Sequence, residues 1–151
     1  MIDRFTGKYG FLSNFWPCTI VYQGFIFPST ENAYQAAKSS SNGEFGPGWV
    51  PRKIFLTCSA ALAKKEGRRF TVREDWNTKS VKIDVMWAVC SDKFYQEEFK
   101  RLLLATGNQE LVEGNTWNDQ FWGVCRGEGK NWLGRILMDI RHQLKINEIG
   151  K

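Results

Sequence analysis

Between Asn77 and Ala105 the apolar residues recur at helical spacing, and this run constrains the fold more than any other. Val81, Val85 and Val89 make one stripe. Ile83, Met86, Cys90 and Phe94 make a second, which Phe99, Leu102 and Leu103 extend. The spacing predicts one long helix, capped by Asn77 or Thr78 and closed at Gly107-Asn108. A second periodic run, Trp132 to about Ile146, carries Leu133, Ile136, Leu137, Ile140 and Leu144 on one stripe, with Asn131 placed as its N-cap. Shorter helices are expected at Ser59–Glu66 and Gln109–Val112. The only strand signal is Thr19 to Phe27, two short segments around Gln23-Gly24, a dipeptide suited to a tight hairpin turn. The expected architecture is mainly α (α+β): a single compact helical domain over residues 1–151 with a small antiparallel β element near the N-terminus.

Three stretches lack either period. Residues 8–17, K-Y-G-F-L-S-N-F-W-P, form an aromatic loop. Residues 39–50 are rich in serine and glycine, a candidate mobile flap. Residues 114–130 form a loop with Gly123, Gly127 and Gly129.

The segment S-T-E-N-A-Y-Q-A-A-K (29–38) should be helical, with Ser29 or Thr30 as cap and Glu31 favoured at the positive end. Its faces are unusual. At 3.6 residues per turn Glu31, Tyr34, Gln35 and Lys38 share one stripe, and Ala33, Ala36 and Ala37 lie opposite. Two readings follow from spacing alone. The polar row is a solvated surface, or the alanines pack closely and the row lines a pocket.

Chemistry beyond that row has few candidates. The one histidine, His142, lies in a helical segment, so a histidine-based catalytic system is disfavoured and no metal site is expected. Acid–base work would fall to carboxylates or a lysine. Cys18, Cys58, Cys90 and Cys125 are widely spaced, which reads as reduced thiols in an intracellular, cytoplasmic protein. No run is long and apolar enough to span a membrane. The 22 aromatic residues (11 Phe, 7 Trp, 4 Tyr) are many for a core this size, so some should line a cleft. The net charge of +5 favours anionic partners, or simply makes a basic surface. Gly127, Gly129, Arg126 and Lys130 precede a helix N-terminus and suggest a phosphate cradle, although no standard glycine-rich fingerprint is present. Trp76, Lys79 and Asp84 form a possible further wall, with Asp75 and Glu113 as other carboxylates near tryptophans.

Taken together, F-L-S-N-F-W-P (11–17), S-T-E-N-A-Y-Q-A-A-K (29–38), L-V-E-G-N-T-W-N-D-Q-F-W-G (111–123) and N-W-L-G-R-I-L-M-D-I-R (131–141) resemble the ordered motifs of the NADAR domain, or YbiA-like, family. The resemblance implies an N-glycosidase that handles ribosyl nucleotides. Its substrates would be ribosylamino pyrimidine phosphates of the riboflavin pathway, or ADP-ribose on guanine in DNA. Glu31 and Lys38 match the family's helix glutamate and lysine, and Asn14 and Phe15 its aromatic entry motif. Trp76 matches a D-W pair, Asp119, Trp122 and Gly123 a D-x-x-W-G, and Asn131, Gly134 and Arg141 an N-x-L-G…R. Where many relatives read W-G-x-G, this chain reads Trp122-Gly-Val-Cys125.

Breaking a ribose N-glycosidic bond builds positive charge at the anomeric carbon, which a carboxylate can stabilise. A neutral lysine can instead attack that carbon and form a Schiff base. The expected catalytic set is Lys38 as nucleophile, Glu31 as proton shuttle and Asp119 orienting sugar hydroxyls or water. The expected binding set adds Asn14, Phe15, Tyr34, Gln35, Trp76, Trp122, Gly123, Arg126, Lys130 and Asn131. No cofactor is expected. The expected protein is a monomer whose substrate is an ADP-ribosyl or ribosyl-phosphate compound, ADP-ribosylated DNA among the candidates. Removal of ADP-ribose from guanine leads, a riboflavin-pathway glycosidase is the alternative, and a non-catalytic ADP-ribose or NAD reader is the third.

Overall fold

The computed structural model describes residues 1–39, 48–77 and 80–150. Most of the expected flap, together with Thr78 and Lys79, lies outside the described residues. The chain divides into two compact units, Asn14–Lys93 and Met1–Ser13 with Phe94–Lys151. Both are largely helical, and the small antiparallel sheet lies near the N-terminus, as the sequence predicts.

The first unit begins with strands β1 (Pro17–Tyr22) and β2 (Phe25–Ser29), an antiparallel hairpin. Its turn is Gln23-Gly24, both at positive φ (53° and 82°), which matches the twist of the flanking strands. Ile20 pairs with Phe27 and both are fully buried, while their neighbours Val21 and Ile26 pair on the outer face. Helix α1 (Thr30–Lys38) follows directly, its N-cap being Ser29, whose hydroxyl accepts the Asn32 amide at 3.1 Å. Asn32 then donates to the carbonyls of Phe55 (3.0 Å) and Cys58 (2.8 Å), fixing α1 to the 3-10 turn Lys53–Leu56. Helix α2 (Ala60–Glu66) is capped by Ser59 and ends at Gly67, as expected.

The long helix predicted over Asn77–Ala105 is two helices. Helix α3 runs Val81–Phe94 and α4 runs Glu97–Ala105. The reason lies in phase. Continued past Phe94, the Met86–Cys90 stripe would place Glu97 and Arg101 in the core. Extended backbone at Gln96 (ψ 134°) resets the phase, so Phe99 and Leu103 face inward and both charges stay exposed. Asn77 does not cap α3, since its side-chain oxygen accepts from Lys82 Nζ at 2.9 Å.

In the second unit α4 packs against α5 (Trp132–Ile149) through Phe99, Leu103, Leu133, Ile136, Leu137, Ile140 and Leu144. Cations of α5 cover the C-terminal end of α4. Arg141 is buried and donates to Thr106 Oγ1 and the Gln109 carbonyl, each at 2.8 Å. Lys145 donates to the Gly107 carbonyl at 2.7 Å. The helix expected at Gln109–Val112 is absent. A four-residue helix is too short to hold itself, and this stretch instead pairs with Ile2, which exchanges backbone bonds of 2.8 Å with Glu110 and Val112.

Asn131 departs from expectation most informatively. It sits in the left-handed region (φ 53°, ψ 42°) and its side chain caps nothing. Its Oδ1 accepts the Glu113 amide at 3.0 Å and its Nδ2 donates to the Leu111 carbonyl at 2.9 Å. Asn131→Gly keeps the backbone conformation but leaves both groups unpaired, so it should lose about 2–4 kcal/mol. Asn131→Ala should lose about 1 kcal/mol more, because alanine resists positive φ. Denaturant unfolding of the two variants checks the order.

Candidate active site

The polar row on α1 is not a solvated face. Every residue from Thr30 to Ala37 is buried, and Lys38 is half-buried. The alanines Ala33, Ala36 and Ala37 pack into the core, as a close-packing face should. Opposite them, Glu31 is only 7% exposed and its Oε1 accepts from Gln35 Nε2 at 2.8 Å. A buried carboxylate needs such donors, because burial without them strongly disfavours charge. Tyr34 packs its ring on Trp76, centroids 5.2 Å apart.

Asn14 ties the aromatic loop to this helix. Its carbonyl accepts the Glu31 amide at 3.1 Å, and its side chain lies between Met86 Sδ (3.4 Å) and Cys90 Sγ (3.8 Å). Phe15, one residue on, is exposed, with Lys64 Nζ 5.8 Å from its ring centre. Trp76 is 3% exposed, so its ring serves packing rather than an open stacking surface.

Lys38 closes the row. Burial pushes its ammonium below the ordinary lysine value of 10.5. The Glu31 carboxylate pulls it back up, and the Arg68 charge pushes it further down. Arg68 enters through α2. Gly67 lies against the Gln35 side-chain oxygen so closely that a Cβ there would collide with it. That oxygen is buried and has no hydrogen-bond partner among the described residues.

The remaining candidates belong to the other unit. Asp119 is half-buried, and its Oδ1 accepts the amides of Phe121 (3.1 Å) and Trp122 (2.9 Å). Asn115 brackets the same turn, donating to the Asp119 carbonyl (2.9 Å) and accepting its amide (3.0 Å). Gly123 must be glycine. A Cβ there would strike the Glu113 carboxylate, the Glu113 carbonyl and the Asn115 side chain.

The phosphate cradle read into this loop is corrected. The amides of Lys130, Trp132 and Leu133 already donate to the carbonyls of Gln120 (2.8 Å), Phe121 (3.1 Å) and Trp122 (2.9 Å). Asn131 holds the loop to the helix rather than opening toward a ligand. Arg126 (φ 53°) and Gly127 (φ 79°) are the centre of a tight turn closed by mutual bonds between Cys125 and Glu128. Cys125, at the position where many relatives have a second glycine, is buried, and its φ is not positive.

Sequence reasoning missed Lys93. It is 1% exposed, and burial pushes its ammonium down to about 8, while the nearby Cys18 and Cys90 thiols act to raise it. Its place on the inward side of α3, one turn from Cys90 and Phe94's neighbour, was the available signal. Among the described residues no three His, Cys, Asp or Glu side chains gather as metal ligands, and no helix is long and apolar enough to cross a membrane.

The NADAR domain model matches residues 3–145, and the chain belongs to that family. The chain is 38% identical over 144 residues to the N-glycosidase YbiA of Escherichia coli, covering 93% of this chain and 84% of that protein. It is also 38% identical over 142 residues to the riboflavin biosynthesis protein VVA0006 of Vibrio vulnificus. That alignment covers 91% of this chain but only 36% of the Vibrio protein, so the chain spans about a third of that relative. The NMR structure of E. coli YbiA superposes with a TM-score of 0.80 at 33% identity, covering the whole of this chain and 90% of the other.

Gly67→Ala tests the packing of the row. The added methyl must displace Gln35, so the variant should lose about 1–3 kcal/mol. Its Lys38 should titrate at a changed pH, measurable by carbon-detected NMR of the lysine side chains.

Proposed function

We propose that Lys38 and Glu31 form the catalytic pair of an enzyme that hydrolyses ribose N-glycosidic bonds. Hydrolase chemistry of the N-glycosidase kind comes with the relatives that carry that name over most of this chain. The observation that carries the residue assignment is the burial of Glu31 beside a lysine whose ammonium is destabilised. In this reading the neutral Lys38 Nζ attacks the anomeric carbon. The carbon–nitrogen bond to the base breaks, the base keeps the electron pair, and the Glu31 carboxyl supplies its proton. Loss of a proton from the attached nitrogen and protonation of the ring oxygen open the sugar to a Schiff base. Water then adds, and Lys38 leaves as the free amine with the sugar aldehyde released.

We favour as substrate a ribosylamino pyrimidine phosphate of the riboflavin route, which the family resemblance implies. A bacterial and a maize protein named for riboflavin biosynthesis match 91% and 90% of this chain. The second reading, ADP-ribose on guanine, draws on the +5 charge, which suits a polyanion. Incubation with both substrates separates them: ribose 5-phosphate release supports the first, recovery of unmodified oligonucleotide the second.

Cyanoborohydride should trap a sugar adduct on the wild type that is absent from Lys38→Ala, read by intact-mass spectrometry. Absence of an adduct in the turning-over wild type refutes the lysine route. Glu31→Gln should lower kcat/KM by about 10²–10⁴-fold. The rate should rise with pH as Lys38 loses its proton, with the midpoint below 10.5. Glu31→Gln removes a charge that raises that value, so its residual activity should climb at lower pH.

A further inference from the structure

Gln35 is the member of the polar row with an unmatched end. It is 5% exposed, and the two ends of its amide meet different surroundings. Nε2 donates to Glu31 Oε1 at 2.8 Å, a contact open to residues one turn apart on a helix. Oε1 lies against Gly67, is buried, and has no hydrogen-bond partner among the described residues. An orphaned buried oxygen is uncommon in a folded protein. This one has essentially no surface to offer a ligand, so a substrate hydroxyl is not the missing donor.

Its surroundings point to an internal partner. The position a Gly67 Cβ would take is in contact with Gln35 Oε1 and is 3.2 Å from the Ala63 carbonyl oxygen. That carbonyl accepts the Gly67 amide at 2.9 Å and keeps a second lone pair. Two acceptors thus face the same space, and Oε1 has no donor there. A glutamine amide carries an oxygen and an NH2 of nearly equal size at its two ends. Turned over about its last side-chain bond, Gln35 would aim Nε2 at the Ala63 carbonyl and Oε1 at Glu31. That orientation needs a donor on Glu31, which only the protonated carboxyl has.

We propose that Gln35 is a positioning residue rather than a substrate contact: it holds the Glu31 carboxyl in place through both protonation states by turning its amide over. With Glu31 ionised, Nε2 donates to the carboxylate. With Glu31 protonated, the carboxyl O–H donates to Gln35 Oε1 and Nε2 donates to the Ala63 carbonyl. Gly67 gives the amide room, since a Cβ there would fill the space beside it. The titratable groups acting on Glu31 are Lys38 on the same helix and the Cys90 thiol of α3. Burial pushes Cys90 up to about 12, so it stays neutral and does not compete for the proton. On the side of α2, Arg68 acts on Lys38, and Glu66 is already paired with Arg69 at 2.9 Å. The use of the Glu31 proton in catalysis rests on the N-glycosidase reading, whereas the turning amide rests on the Glu31–Gln35 bond and the orphaned oxygen.

NMR of protein labelled at the glutamine side-chain nitrogens and glutamate carboxyl carbons tests this without substrate, with signals assigned through the backbone so that no variant need fold. As the pH falls, the Glu31 carboxyl carbon and the Gln35 amide nitrogen should shift together with one midpoint. A Gln35 signal that stays still while Glu31 titrates, or a Glu31 carboxyl that does not titrate in the folded protein, overturns the proposal. Gln35→Met fills similar space without an amide. It should lower kcat by about ten- to hundredfold and change KM by less than about threefold. A raised KM at unchanged kcat would make Gln35 a substrate contact and overturn the proposal, as would unchanged kinetics in the folded variant. A shared midpoint in a wild type that cleaves neither substrate refutes the glycosidase reading and leaves the turning amide standing. An active wild type with a still Gln35 signal does the opposite.

Discussion

Helix α1 is buried from Thr30 to Ala37, so its polar side chains must find partners within the fold, and among the described residues all but the Thr30 hydroxyl and the Gln35 side-chain oxygen do. Glu31 and Gln35 do this for each other at 2.8 Å, Asn32 does it against two carbonyls, and Ser29 closes the first turn. Packing around α1 is therefore paired with chemistry. The alanines let neighbouring elements approach, and the approach removes the water that would otherwise screen Glu31 and hold Lys38 charged. Gly67 takes part for the same reason, since no larger residue fits against Gln35. A row of ordinary polar residues gains unusual properties only because the other face of the helix is so small.

Much of this was legible in the sequence. Periodicity located α2, α3 and α5 and the hairpin, because each has a strong local signal: a cap, a stripe, or Gln23-Gly24. The failures have one cause in common, which is that tertiary partners decided the outcome. Glu97 and Arg101 broke the long helix because a continuous one would bury both. Ile2 captured Gln109–Val112 from a distance that no local rule sees. Asn131 looked like a cap by type and position, but Glu113 and Leu111 claimed its side chain. The polar row itself was ambiguous from spacing, and only burial separated a site from a surface.

The Asp119–Asn131 segment shows how a motif can be structural where it looks ligand-binding. Its carbonyls occupy the amides at the start of α5, and Gly123 is fixed by the close approach of Glu113 and Asn115. Within it, Asp119 commits one carboxylate oxygen to the turn. The replacement of a second glycine by Cys125 is accommodated by a buried thiol in ordinary backbone.

The central claim is that burial, not sequence type alone, prepares Lys38 to act as a neutral amine. The direct measurement is the titration of the Lys38 side chain by NMR in protein labelled at the lysine ε-carbon, with Lys38→Arg assigning the signal. The midpoint should lie below 10.5, and Glu31→Gln should lower it further. A midpoint at or above 10.5, unmoved by Glu31→Gln, would contradict the claim.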